Sequence, residues 1–534
     1  MEEMGLPGVL STSMDGLATV TGMLLAQAGS ERPGLLFEDR RWTWREHVRE
    51  CGRYAAALRV RHEPGRPFHV GILADNVPEF SFLLGGCALA GAVLVALNPV
   101  RRGAALAADA ARTHCQYVLA EDKYADLLPA GEGIPVLPLD SLDPPDEPLE
   151  APAGARPDDL LMLIFTSGTS GEPKAVRVTQ GKVAIPGRML ADRFGLTGDD
   201  VVYVSMPMFH SNAILAGWAV GLAAGAGIAL RRRFSASGFL PDVRTFAATY
   251  ANYVGKPLSY VLATEERPDD ADNPLRFAYG NEGATGDLTR FGARFGCRVV
   301  DGFGSSEGGV SISRTPDTPT GALGRLTDGV AVLNPQTGQP CATARFGPGG
   351  ELLNGAEATG EIVNTAGAGL FAGYYNDPGA DASRMRDGRY WSGDLGYVDE
   401  DGFCWFAGRA GEWLRVDGEN LGTAPVERVL RRHPAVAEAA VYGVPDPVAG
   451  DQIMACLVLR GEFTPAELTA FLAAQADLGE KQWPRFVRIA SELPTTPTFK
   501  ALTRVLAEQR WETADPVWWR PYQTRDLAYV PLVA

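Results

Sequence analysis

Thr166-Ser167-Gly168-Thr169-Ser170-Gly171-Glu172-Pro173-Lys174 sets four hydroxyl side chains and two glycines in six successive positions, with a lysine close behind. Glycine lets a backbone approach a ligand and take positive φ. Successive N–H groups and short hydroxyls can wrap an anion. Lys174 ends the stretch with a compact positive charge. Such a loop could grip phosphate, and the same composition also makes a polar surface turn. In the usual P-loop the lysine directly follows a glycine and precedes Ser or Thr. Here Glu172 and Pro173 intervene and Ala175 follows, which disfavours an ordinary P-loop nucleoside triphosphatase.

Four later stretches carry further chemistry. His210 lies in Pro207-Met208-Phe209-His210-Ser211-Asn212, where a lone histidine could catalyse or simply hydrogen-bond. Asp301-Gly302-Phe303-Gly304-Ser305-Ser306-Glu307 offers an aromatic ring for a purine, a hydroxyl for phosphate and a carboxylate for Mg²⁺, or a solvated loop acid. Asp394, in Trp391-Ser392-Gly393-Asp394, has two acceptor oxygens that suit a ribose diol, although Asp in a Gly-rich turn often only shapes the turn. Lys500 ends Leu493-Pro494-Thr495-Thr496-Pro497-Thr498-Phe499-Lys500, a loop in which a lysine is ordinarily exposed and inert.

The elements around these residues read as strands alternating with helices. Residues 160–165 form an apolar run short enough for a buried strand just before the hydroxyl-rich loop. Residues 1–40 suggest a helix and a strand pair, with a charged turn at 38–41. Helix 44–58, strand 68–73, a helix opening at Pro78, strand 92–97, helix 105–113 and strand 117–120 follow. The alternation predicts a parallel, doubly wound α/β sheet. Residues 141–158 read as a linker. After the loop come helix 182–193 and strand 201–204, then a helix feeding a strand over 239–253 and a strand at 275–280. Past Arg409 the pattern changes to helix 425–432, strands 436–442 and 452–459, and a helix begun by Thr464-Pro465. These make a small α+β domain of about 120 residues.

At 534 residues the chain exceeds one ordinary core. Apolar content of 46% and charged content of 21% fit a globular protein. Its 49 basic and 65 acidic residues give a net charge of −16, which argues against a nucleic-acid partner. Seven singly scattered cysteines argue against a disulfide framework or structural zinc and for a cytoplasmic location. The start, Met1-Glu2-Glu3, predicts no signal peptide. Two long apolar stretches, 80–97 and 213–230, are broken by Gly and Ala and read as a buried helix, a turn and a strand rather than a membrane span. Peripheral membrane contact stays open, as does monomer or homodimer.

The nine residues of the hydroxyl-rich loop resemble the phosphate loop of the adenylate-forming superfamily, which includes acyl-CoA synthetases, aryl-CoA ligases, peptide-synthetase adenylation domains and luciferases. Further motifs resemble that family in order from about residue 30 to the end. The hinge segment 408–423, the loop before Lys500 and Tyr529-Val530-Pro531-Leu532 resemble the fatty-acid transport protein, or very-long-chain acyl-CoA synthetase, group. The resemblance implies a large N-terminal domain of stacked α/β sheets with a small β-barrel-like subdomain over 1–408, a hinge at 409–411 with Gly411 as the hinge residue, and a mobile α+β domain over 412–534.

It also implies roles. Thr166, Ser167, Gly168, Thr169, Ser170, Gly171 and Lys174 would hold ATP phosphates, with Thr166 also catalytic. Glu282, Gly283 and Ala284 match the segment against adenine, with Glu282 where the family has its first glycine. Asp301, Gly302, Phe303, Gly304, Ser305 and Ser306 complete the nucleotide side, and Glu307, also catalytic, would bind Mg²⁺. Asp394 and Arg409 match the ribose motif. His210, Ser211, Asn212, Tyr279, Gly280 and Gly304 would line the acyl site, with His210 also catalytic and pocket residues also from 203–216, 252–260, 278–283 and 302–310. Asp417, Gly418, Glu419 and Asn420 would face CoA, and Lys500 would catalyse adenylation.

The implied reaction joins a carboxylate to AMP, releases pyrophosphate, and passes the acyl group to CoA after the small domain rotates. The favoured acid is fatty or otherwise hydrophobic. Alternatives are an amine acceptor, an unusual small anion such as nitrite, a peptide-synthetase module, or a non-catalytic fatty-acid-binding or transport protein. The intact loop with Glu307, Asp394 and Lys500 argues against a dead site. The 34 residues after Lys500 show no carrier domain.

Overall fold

The computed structural model describes residues 15–128, 133–142, 154–166, 173–348, 352–409, 414–416, 419–421, 423–446, 450–475, 478–495, 501–521 and 528–532. By internal contacts the chain divides into two compact units, Met1–Gly308 with Leu370–Asp381 and Gly309–Gly369 with Ala382–Ala534.

Strands of the first unit form two sheets. The pair β1 (Pro33–Phe37) and β2 (Arg40–Thr43) turns at Glu38, whose φ is +53°. The turn is therefore shorter than the charge run suggested, because Arg40 and Arg41 belong to β2. Next come β3 (His69–Leu73), β4 (Val93–Ala96), β5 (Tyr117–Ala120), β6 (Val136–Pro138), β7 (Leu160–Thr166) and β8 (Lys174–Thr179). They pair in the order β6-β5-β3-β4-β7-β8. Then β9 (Val201–Val204), β10 (Gly227–Leu230), β11 (Tyr250–Val254), β12 (Phe277–Asn281) and β13 (Arg298–Gly304) join β1 and β2 in the order β13-β12-β11-β9-β10-β1-β2.

Both sheets are parallel except at one edge each. There β1 pairs β2, and β7 pairs β8, antiparallel. The second exception corrects the expectation that the phosphate loop runs on to a helix. A strand intervenes, and helix Gln180–Phe194 starts only after it.

The long apolar stretches fold as the Gly breaks demand. Helix Pro78–Ala90 stops at Gly91 (φ +70°) before β4, and helix Ala219–Ala224 stops at Gly225 (φ +63°) before β10. No helix of the described residues is long and apolar enough to cross a membrane. Central strands are buried on both faces, as in β3 and β4, so their sequences run apolar without alternation.

The second unit begins with β14 (Ser311–Ser313), β15 (Gly324–Arg325), β16 (Val330–Leu333), β17 (Gly360–Asn364), β18 (Met385–Arg386), β19 (Arg389–Val398) and β20 (Phe403–Arg409). An antiparallel sheet runs β15-β20-β19-β17-β16, with β18 beside β19. A further sheet uses β21 (Leu414–Val416), β22 (Glu419–Leu421), β23 (Val436–Asp446), β24 (Gly450–Leu459), β25 (Phe486–Ala490), β26 (Val517–Trp519) and β27 (Val530–Pro531). Helices Thr423–Leu430 and Pro465–Ala473 bury Val426, Leu430, Leu468 and Leu472 in one core with Ile453 and Val487. The second helix opens on a capping box between Thr464 and Glu467.

Candidate active site

The hydroxyl-rich stretch expected to grip phosphate is held where it meets the described residues. Thr166 and Lys174 are cross-strand partners in the β7–β8 ladder, so the two ends of the stretch meet at one rung. Ser167, Gly168, Thr169, Ser170 and Gly171 lie outside the described residues. A short extended segment continues this edge. Arg177 N donates to Gly373 O (3.0 Å), Tyr375 N donates to Ala175 O (2.8 Å), and Val176 bridges Tyr374. Gly373 sits at φ +88°, a region that favours glycine.

That segment delivers Tyr374 to Glu307. The Tyr374 hydroxyl donates to Glu307 Oε1 at 2.9 Å, and both side chains are buried. The Tyr374 ring lies 5.2 Å from Lys174 Nζ, a distance suited to cation–π attraction. Behind Glu307, Lys182 Nζ donates to the Glu307 carbonyl at 2.8 Å and to the Arg177 carbonyl at 3.3 Å. Lys182 is 1% exposed. Burial pulls its pKa down to about 8, opposed by the negative charge of Glu307. Lys182 and Tyr374 were given no role by the sequence. A lysine directly before the apolar run Val183-Ala184-Ile185 was the available signal for the first.

The residues expected on the acyl side form a connected polar network. Ser211 Oγ lies 2.6 Å from Ser306 Oγ and so joins the His210 segment to the Phe303–Glu307 segment. Asn212 Nδ2 donates to Tyr253 O (3.0 Å) and Asn281 Oδ1 (3.1 Å), and Asn252 Nδ2 donates to Asn212 Oδ1 (2.7 Å). Tyr253 Oη and Gly283 N both donate to Asp301 Oδ1, at 2.9 and 3.0 Å. Asp301 thus tethers the 282–284 turn to β13. His210 is the residue before helix Ser211–Ala213, and its ring lies 4.4 Å from that of Phe209.

Two expected site glycines have packing reasons. A Cβ on Gly280 would meet Tyr253 O at 2.1 Å, and one on Gly302 would meet Tyr279 Oη at 2.7 Å. Burial raises the Tyr279 pKa, so its phenol stays neutral. Gly304 is exposed, and Phe303, Ser305, Gly283 and Ala284 are half-buried. Glu282 adopts φ +64°, a region that favours glycine.

In the second unit Asp394 and Arg409 are partners across β19 and β20, with Arg409 Nε 3.3 Å from Asp394 Oδ1. Asp394 is buried and Arg409 half-exposed. Glu361 adds a support that sequence reasoning missed. Its Oε1 accepts from Gly393 N at 2.6 Å, one residue before Asp394. Burial raises the Glu361 pKa, and the Gly393 N–H opposes that rise. Glu419 and Asn420 belong to β22. Asp417, Gly418, Gly411 and Lys500 lie outside the described residues.

The donor set can be tested against Mg²⁺. Glu307 is a hard oxygen donor whose one described carboxylate contact is a neutral hydroxyl, so lone pairs are left for a cation. Among the described residues no three of His, Cys, Asp and Glu gather as a metal cluster. One carboxylate fits Mg²⁺, which usually completes its octahedron with substrate phosphates and water.

Comparisons with known proteins place the chain in a family. Residues 25–375 match the family described as AMP-binding enzyme, and 425–500 match the AMP-binding enzyme C-terminal domain. The chain is 55% identical to the medium/long-chain-fatty-acid–CoA ligase FadD17 of Mycobacterium marinum, over 94% of this chain and 98% of the relative. It is 47% identical to steroid-22-oyl-CoA synthetase of Rhodococcus jostii, over 93% of this chain and 92% of the relative. Its fold matches o-succinylbenzoate CoA synthetase of Bacillus subtilis in complex with its acyl-adenylate intermediate, with TM-score 0.75, 25% identity, and coverage of 91% and 98%. Spanning both matched models and nearly the full length of its relatives, the chain belongs to the AMP-binding enzymes of the adenylate-forming superfamily, as an AMP-forming acyl-CoA synthetase.

Proposed function

We propose that this chain activates a hydrophobic carboxylic acid, of the medium- to long-chain aliphatic kind, and delivers it to CoA. The acid's carboxylate attacks the α-phosphorus of ATP, and the bond to pyrophosphate breaks. The CoA thiolate then attacks the acyl carbonyl, and AMP leaves with the bonding electrons. The Ser211–Ser306 hydroxyl contact carries this reading, because it sets the segment assigned to the acid against the segment assigned to ATP.

Positioning and charge neutralisation are the main contributions available to such a site. The loop from Thr166 to Lys174 would take the phosphates, Phe303 would stack on adenine, and Asp394 with Arg409 would hold the ribose. His210 would orient the acid's carboxylate. Bound at Glu307, Mg²⁺ would neutralise charge on the phosphates. Lys500 would stabilise charge at the α-phosphate, and 417–420 would face CoA. We assign 1–408 and 412–534 as the two domains, with 409–411 as the hinge. We also assign the work to the cytoplasm, where the seven unbridged cysteines would stay reduced.

The substrate class rests on the 55% identity to a fatty-acid–CoA ligase. Mass spectrometry of products formed from MgATP, CoA and a carboxylate panel tests it. Thioesters of medium and long aliphatic acids, with AMP, are the expected outcome. Thioesters of steroid side-chain acids alone would move the substrate class. AMP without any thioester would overturn CoA as acceptor.

A further inference from the structure

We propose that Lys182 is a positioning residue for adenylation, one that fixes the Glu307 backbone against the strand returning from the phosphate loop. The proposal rests on the reading of Glu307 as the acid that faces Mg²⁺.

Lys182 lies in the first turn of helix Gln180–Phe194, whose start is capped by Thr179. Its stem folds back so that Nζ reaches two carbonyls, Arg177 of β8 and Glu307. Those two residues are 130 positions apart in sequence. Gly308 makes room for the stem: a Cβ there would sit 3.2 Å from Lys182 Cε, and the backbone at φ +73° favours glycine. Withdrawing an ammonium this fully from water is costly, and backbone acceptors offset the cost only in part. A methionine would fill similar volume without that cost, so stability alone gives no reason for the charge.

The surroundings supply a reason. Tyr374 holds the Glu307 carboxylate, and Tyr374 itself is bridged to Val176 of β8. Lys182 holds the Glu307 backbone and is bonded to Arg177 of the same strand. Both ends of the acid are therefore referenced to β8, the strand that begins with Lys174. A change in either hold would move Glu307 relative to the phosphate loop. Misplacing a catalytic group by about 1 Å can cost about 10²-fold in rate.

Three full-length variants test this: Lys182→Met, Lys182→Gln and Lys182→Arg. MgATP binding is read by calorimetry across a magnesium series. Adenylation is read by pyrophosphate exchange, thioester formation from supplied acyl-adenylate separately, and unfolding by urea. The uncharged variants should bind MgATP about tenfold more weakly and need more magnesium for half-maximal binding. Their adenylation should fall about 10- to 100-fold, while thioester formation stays within about twofold. Lys182→Arg should recover most of the loss.

The proposal is overturned if the uncharged variants keep magnesium-dependent ATP binding. It is equally overturned if all three, arginine included, lose stability and both half-reactions together, as a purely structural residue would. The calorimetry needs no acid, so it stands apart from the choice of substrate. Failure to make any acyl-CoA with the parent enzyme would remove the substrate reading and leave the Lys182 comparison intact.

Discussion

The Tyr374 hydroxyl meets Glu307 Oε1 at 2.9 Å, although 67 residues separate the two in sequence. Tyr374→Phe removes this donor and leaves the ring over Lys174. Hydrogen bonds to charged groups contribute about 1.5–3 kcal/mol, so adenylation should slow roughly 10- to 100-fold. Pyrophosphate exchange at saturating MgATP measures it. An unchanged rate would mean that the Glu307 carboxylate is not held by Tyr374 during turnover.

Glu282 occupies left-handed backbone space at φ +64°. Such a conformation costs a non-glycine residue about 1–2 kcal/mol, partly offset by the greater freedom of glycine in the unfolded chain. Glu282→Gly should therefore stabilise the protein by about 1 kcal/mol. A urea midpoint that does not rise would show that the Glu282 side chain compensates its backbone.

Lys500 and Asp394 should fail differently. Lys500→Ala should lower adenylation by at least about 10²-fold, the loss expected on removing a fixed charge from a developing anion. Thioester formation from supplied acyl-adenylate should largely survive. Asp394→Ala should chiefly raise the KM for ATP, by roughly tenfold. Equal loss of both half-reactions in the lysine variant would contradict its assignment to the first step.

His47 makes stability pH-dependent. Its side chain is wholly buried, Nε2 lies 2.9 Å from Ser81 Oγ, and no described partner meets Nδ1. Burial lowers its pKa to about 3, whereas an unfolded chain protonates near 6.5. The unfolded state therefore binds the extra proton first as pH falls below about 6.5, and stability declines until pH approaches 3. The slope is at most about 1.4 kcal/mol per pH unit. His47→Gln should lose about 2 kcal/mol less than the parent between pH 6.5 and 5. Parallel stability curves for the two proteins would assign the slope to other groups.

Much of this molecule was legible in the residue order. Buried strands such as β3, β5 and β9 announce themselves as short apolar runs, and Gly91 and Gly225 mark the turns after their helices, because periodicity and glycine act over a few residues. The motifs around Thr166, His210, Glu307 and Asp394 were readable for the same reason: each keeps its chemistry in one contiguous stretch. Tertiary structure decided what joins those stretches. That β8 returns antiparallel beside β7, that residues 370–381 pack with the first unit, and that Lys182 and Tyr374 hold Glu307 from two sides all depend on contacts between distant positions. Such contacts form only when packing encloses polar groups that must then find partners, and no local pattern in the chain records which partners those will be.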